Sequence, residues 1–200
     1  ALKRYDWLQK EYFFKSVPAD YDEITRQCAS QERPLGYFLH VGKGVRAALP
    51  CQTALYMATN DTQQAVHNIV ILEEGARLEL VTGCVSQHQI TDGRHLSVDE
   101  YYIGKNASLN STMVHSWGEH VKVYPRSGAV VGENGRYESR YISLKTAQLV
   151  QSDPQTYLNG EGASAQLLTV VLGAQGSEIT TDGNVYLNAK DTNAELLHRG

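Results

Sequence analysis

Six times along this chain a Gly or Asn precedes one short alternating pattern, at Gly44, Gly75, Asn106, Asn134, Gly162 and Asn193. The intervals are 31, 31, 28, 28 and 31 residues. The clearest copies read Gly75-Ala76-Arg77-Leu78-Glu79-Leu80, Asn106-Ala107-Ser108-Leu109-Asn110-Ser111 and Asn134-Gly135-Arg136-Tyr137-Glu138-Ser139. Gly162-Ala163-Ser164-Ala165 and Asn193-Ala194-Glu195-Leu196 follow the plan, while Gly44-Val45-Arg46-Ala47 departs from it, with Val45 in place of the small residue. A recurrence near 30 residues marks a stacked solenoid, whose units are each too small to bury an apolar face alone.

Each unit carries the same grammar. An apolar strand enters, as in Asn68–Leu72, Tyr101–Ile103, Gly128–Val131 or Asn184–Leu187. The Gly or Asn then takes the left-handed conformation that costs other residues about 1–2 kcal/mol. A second strand alternates, placing Arg77, Glu79, Arg136 and Glu138 outward and Leu78, Leu80 and Tyr137 inward. Two strands per unit fit a parallel β-helix. A four-stranded propeller blade of about 40 residues, a leucine-rich repeat and a helical repeat do not fit; chance recurrence of turns in an ordinary sandwich stays open.

The expected architecture is therefore all-β, a parallel β-helix over residues 35–200 behind an N-terminal helix and linker at 1–34. Tyr5, Leu8 and Tyr12 recur at helical spacing, so residues 2–16 are predicted to form a helix capping the first coil, with Pro18 closing it. Residues 19–34, with Asp20, Asp22 and Glu23, read as a loop or a short turn of helix.

A net charge of −4 offers no basic stripe for nucleic acid. No apolar run approaches the roughly 20 residues that span a bilayer. Ala1–Lys10 lacks the apolar core of a secretory signal, which makes the cytoplasm the expected compartment. Three cysteines, Cys28, Cys51 and Cys84, form no C-x-x-C and no even set, against a disulfide framework or a conventional zinc site. Phosphate-loop, G-x-S-x-G and H-E-x-x-H motifs are absent from the 200 residues.

Equal offsets from the turn should stack on successive coils, about 4.8 Å apart. Nine residues on stand Thr53, Cys84, His115, Ser143 and Val171; seven on stand Cys51, Thr82, Met113, Tyr141, Thr169 and Gly200. Both sets share the parity of Leu78 and Leu80 and should face the bore. Burying such polar groups costs a few kcal/mol each unless they are partnered, so the column is either a hydrogen-bonded core ladder or a site. His67, His88 and His95, in or beside Thr82–Ser97, form with Cys84 a second candidate set of soft-metal ligands, against the alternative of solvated loop histidines.

Several blocks in order resemble the SufB/SufD family of iron–sulfur cluster assembly proteins. They are Lys3–Leu8, Val66–Ala76 with Thr82-Gly83-Cys84, Met113–Trp117, Tyr124–Gly128, Tyr157–Glu161 and the closing repeat at Asn184–Gly200. Short archaeal members look most similar. The resemblance implies a right-handed parallel β-helix and a scaffold rather than an enzyme. It also implies an ABC-type ATPase partner, SufC, docking on a C-terminal helical domain without counterpart here, and a second SufB or SufD protomer expected to cover the open last coil. The cargo would be a transient iron–sulfur cluster. Where the family pattern carries a Cys, this chain has Ser143, which cannot carry persulfide sulfur. Cys84, His115 and Cys51 are then the sulfur-relay candidates, with His115 expected to hold a Cys84 thiolate by its charge. Two other classes compete: a structural solenoid with an inert core, and a β-helix enzyme acting on acidic polysaccharide.

Overall fold

The computed structural model describes residues 1–87 and 89–200. Two helices come first, α1 (Asp6–Glu11) and α2 (Glu23–Ala29). The strands that follow are β1 (Phe38–Val41), β2 (Cys51–Met57), β3 (Thr62–Leu72), β4 (Arg77–Ser86), β5 (Gly93–Ile103) and β6 (Ser108–Ser116). Then come β7 (Val121–Val131), β8 (Arg136–Ser143), β9 (Leu149–Leu158), β10 (Ser164–Val171), β11 (Glu178–Thr181), β12 (Asn184–Leu187) and β13 (Asn193–Arg199).

Odd strands stack into one sheet, β1-β3-β5-β7-β9-β11, with β12 also on β9 beyond the break at Asp182-Gly183. The other sheet runs β13-β10-β8-β6-β4-β2. All these pairings are parallel. The chain is a parallel β-solenoid whose coils give one strand to each sheet, the last coil splitting its share of the odd-strand sheet into β11 and β12.

The turns explain the period. Gly44, Gly75, Asn106, Asn134 and Gly162 all have φ between 52° and 71°. The sixth such residue is Asp191 (φ 56°), two before the expected Asn193. Ser164 pairs with Asn193, so Thr192 fills the place of the small residue and Asn193 already lies in the strand. Asp tolerates the left-handed region nearly as Asn does. A second correction lies in the first coil. Arg46 bridges Arg77, but Cys51 pairs with Leu80, so the stretch Ala47–Pro50 holds two more residues than its counterpart. Both slips are even and keep every side chain on its face.

The bore at the turn end is a dry stack of Val70, Leu72, Leu80, Ile103, Leu109, Val131 and Leu158, each at most 2% exposed. Burying each such side chain contributes about 1.5–3 kcal/mol. Parallel sheets normally need cover on both faces, and the N-terminal segment covers the odd-strand sheet. Leu8 packs on Ile69 and Ile71; Val17, Ile24 and Cys28 pack on Ala65, Leu96 and Val98.

The long helix expected over 2–16 is only α1, because Phe14 turns to φ 55° and aims the following N–H groups inward. Residues 23–29 instead form α2, started by a capping box between Asp22 and Thr25. Arg126 Nε donates to Asp22 Oδ2 at 2.6 Å and its Nη1 to Gln151 O at 2.7 Å, pinning that helix to the sheet.

Candidate functional site

The register lines up Cys84, His115, Ser143 and Val171 as counted, but beneath Cys84 sits Leu55, not Thr53. Thr53 joins the neighbouring column of Thr82, Met113, Tyr141 and Thr169, which ends at His198 rather than Gly200. Cys51 falls level with Leu80, four residues from Cys84 and about 13 Å along the strand. It therefore stands outside the Cys84 column, displaced by the longer first coil.

Cys84 and His115 are 1% exposed and Ser143 3%. Around Cys84 pack Met57, Ile90, Trp117, Val121, Val123 and Val150. The His115 ring lies 5.6 Å from the Trp117 ring and 6.5 Å from that of His95, which lies tilted 4.7 Å from Trp117. His115 Nδ1 shares a 2.9 Å hydrogen bond with the Tyr141 hydroxyl, and His95 Nδ1 donates to Gln64 Oε1 at 2.8 Å. Ser143 Oγ donates to Lys145 O at 3.0 Å. Among the described residues, His115 Nε2 and Trp117 Nε1 are two of three buried side-chain polar atoms with no hydrogen-bond partner. Native interiors rarely leave such atoms unpaired.

The electrostatics correct one expectation. Burial lowers both His115 and His95 to about 3, each disfavoured as a cation, with His95 adding to the effect on His115. Burial pushes the Cys84 thiol well above its ordinary range, and the nearby charge of Asp99 pushes the same way. The pair is thus a neutral imidazole and a protonated thiol, not an ion pair. Desolvation is the largest influence on both groups.

The structure does not bring His67 and His95 of the expected metal set together. His67 points to the outer face, where its ring stacks 4.3 Å from Phe13 and its Nε2 donates to Glu100 at 2.7 Å. His95 points into the bore, and His88 lies outside the described residues. Among the described residues no cluster of three or more His, Cys, Asp or Glu suits a metal ion. The cause is alternation: residues 67 and 95 have opposite parity in paired strands, since His67 is level with Val98.

Two buried acids escaped the repeat count. Asp99 and Glu100, adjacent on β5, face opposite ways. Asp99 faces the bore, accepts from Asn68 Nδ2 at 2.7 Å, and lines a cavity of about 60 Å³ with Ser111, Ser127, Ser139, Tyr141 and Thr169. Glu100 faces out, fully buried, and accepts from the N–H groups of Phe14, Lys15 and Ser16 at 2.7 Å each. The signal was legible: two acids inside an apolar strand that is covered on both faces can only be held by specific partners.

A family model described as SUF system FeS cluster assembly, SufBD core domain, matches residues 55–200. An iron–sulfur cluster assembly SufBD family protein of Archaeoglobus fulgidus is 37% identical over 199 residues, covering 100% of this chain and 53% of the relative. One from Methanothermobacter thermautotrophicus (strain Winter) is 34% identical over 202 residues, covering 100% of this chain and 49% of its own length. A Staphylococcus haemolyticus relative of the same description is 27% identical over 199 residues. The chain spans about half the length of the archaeal relatives it matches.

Proposed function

This chain belongs to the SufBD family of iron–sulfur cluster assembly proteins, and on that premise we propose that it is a scaffold whose solenoid bore accepts sulfur at Cys84. The supporting observation is the pair of unpartnered polar atoms, His115 Nε2 and Trp117 Nε1, in the packed cluster that holds the thiol. A persulfide on Cys84 brings a polarisable sulfur to polar atoms that otherwise go unsatisfied, in a setting where water cannot compete for it. Two coils on, Ser143 holds no sulfur, so the covalent step belongs to Cys84 alone in this column.

Family membership supports the rest of the reading. A SufC-type ABC ATPase supplies the energy-driven step and a second SufB or SufD protomer completes the assembly. The iron–sulfur cluster is a cargo, formed and passed on rather than kept. The cytoplasm remains the compartment proposed; among the described residues no helix is long and apolar enough to cross a membrane.

Replacing Cys84 by Ser in the full-length protein, assembled with its ATPase partner, is the test. Supplied anaerobically with ferrous iron and a persulfide donor, the variant is expected to form no more cluster than a protein-free control, read by absorbance and iron–sulfur counting. Wild-type yield from the variant would remove Cys84 from the mechanism and leave the inert-core solenoid as the better reading.

A further inference from the structure

Among the described residues, Asp99 is the one acid buried inside the bore, and it has no positive partner there. It takes part in none of the ion pairs among those residues. No Lys, Arg or His lines its cavity, and His67 lies on the outer face with its Nε2 committed to Glu100. Asn68 Nδ2 donates to Asp99 Oδ1 at 2.7 Å, but that partner is neutral. Asn68 is itself fixed, because its Oδ1 accepts from Tyr37 N at 3.0 Å. A carboxylate taken out of water without a counter-charge is among the costliest groups to bury, which is why buried charges are paired or hold a metal ion.

What surrounds this carboxyl group is oxygen. Asp99 is level with Ser127 on β7, and Ser111 on β6 is level with Ser139 on β8. Neighbouring strands stand about 4.8 Å apart. Two successive coils therefore bring a carboxyl and a hydroxyl group from one wall, and two hydroxyl groups from the other, to the lining of a single cavity. At about 60 Å³ it has room for roughly four water-sized particles. Neither an imidazole nor a thiol lines it, so the donor set differs from the His and Cys ligands expected of a soft metal.

We propose that this cavity binds a hard monovalent cation of sodium or potassium size, held by the Asp99 carboxylate and the hydroxyls of Ser111, Ser127 and Ser139. Such a site is independent of sulfur chemistry at Cys84. Oxygen donors suit a hard ion. One carboxylate balances one positive charge, whereas a divalent ion would leave a positive charge buried in its turn. Magnesium also demands a near-ideal octahedron and gives up its water reluctantly. Bound here, the cation offsets the cost of the buried carboxylate and ties the two sheets together in the middle of the solenoid. The same cavity is lined by Thr181 and the exposed Asp182 of the last coil, which supply a polar way in. The competing way to neutralise Asp99 is a proton, which burial favours by raising its pKa.

The test follows thermal unfolding of the full-length protein by circular dichroism at constant ionic strength, with choline chloride replaced stepwise by sodium or potassium chloride. Choline is too large for a cavity of about 60 Å³. The wild-type melting temperature is expected to rise with the smaller ions, by about 3–5 °C for each tenfold increase above half-saturation. Asp99→Asn keeps an acceptor for Asn68 but has no charge to balance, and is expected to melt alike in all three salts. Ser127→Ala removes one hydroxyl ligand and is expected to need about tenfold more salt for the same gain. A response to one of the two small ions alone supports the site and identifies its ion. Equal wild-type melting in choline, sodium and potassium would mean that Asp99 carries a proton, and overturns the proposal. An Asp99→Asn protein that responds to salt as the wild type does overturns it too. If Asp99→Asn does not fold, a Ser127→Ala response identical to wild type is the overturning result.

Discussion

Replacing Glu100 by Ala is expected to detach residues 1–34 from the solenoid while the coils stay folded. The carboxylate accepts from Phe14, Lys15 and Ser16 N–H, from Ser16 Oγ at 3.1 Å, from Val17 N–H at 3.3 Å and from His67 Nε2 at 2.7 Å. Removing it strands four donors at once, the Phe14, Lys15 and Val17 N–H groups and His67 Nε2, while Ser16 keeps Tyr102 and Gly128. At about 1–3 kcal/mol for each donor left unsatisfied, the loss exceeds the roughly 4 kcal/mol that marks an exceptional point mutation. The solenoid's own apolar stack contains none of the residues 1–34, which is why the loss should be local.

Amide exchange at residues 14–17 and Trp7 fluorescence read the outcome directly; protected amides in Glu100→Ala would contradict it. Glu100→Gln should fall between, since its amide N–H would face Phe14 N–H or His67 Nε2. Acid should act in the same direction. Burial raises the Glu100 pKa, but the bonds from His67, Ser16 and Tyr102 outweigh it and hold the group below the ordinary carboxylate value. Its contribution is therefore complete above about pH 4.3 and is lost as pH falls through the depressed value. The N-terminal segment should let go on acidification before the coils melt.

The second large effect concerns Trp117. Truncation to Ala removes a 1% exposed indole from between His95 and His115 and is expected to cost about 3–5 kcal/mol. Trp117→Phe is expected to cost less than about 1.5 kcal/mol, because it fills most of the volume and deletes an N–H that has no partner. The same conservative change should shorten the lifetime of a persulfide on Cys84, since it removes a donor aimed at no other group. Urea unfolding separates the two variants in stability. Equal destabilisation by Phe and Ala would mean the indole N–H is satisfied after all and plays no part with sulfur.

The coil architecture was readable because the turn residue is constrained by its own backbone. Only Gly, Asn or Asp takes φ near +60° cheaply, so Gly44 through Gly162 announce themselves. The same logic explains the miss at Asp191, where the neighbouring Asn193-Ala194 imitates the pattern two residues late. Parity survived both slips, so Cys84, His115 and Ser143 were placed correctly by counting. The Cys51 level was not, since nothing in Ala47–Pro50 declares two extra residues.

Counting from turns also says nothing about what lies across the bore. Trp117 and His95 meet His115 from the connecting turn and the opposite sheet, a relation fixed by coil shape rather than by period. The two acids of β5 could be seen in the sequence, but what Glu100 anchors could not: most of its partners are backbone N–H groups, which no side-chain pattern records. The protonation state of the Cys84–His115 pair was likewise invisible, because depth of burial decides it and sequence gives only neighbours.

Peptide mass mapping of the wild-type protein after anaerobic exposure to a persulfide donor tests the reading of the bore most directly. The mass of one added sulfur atom is expected on the peptide carrying Cys84, removable by a thiol reductant, with Cys28 and Cys51 unmodified. Sulfur found on either of those two, with Cys84 untouched, would contradict the assignment.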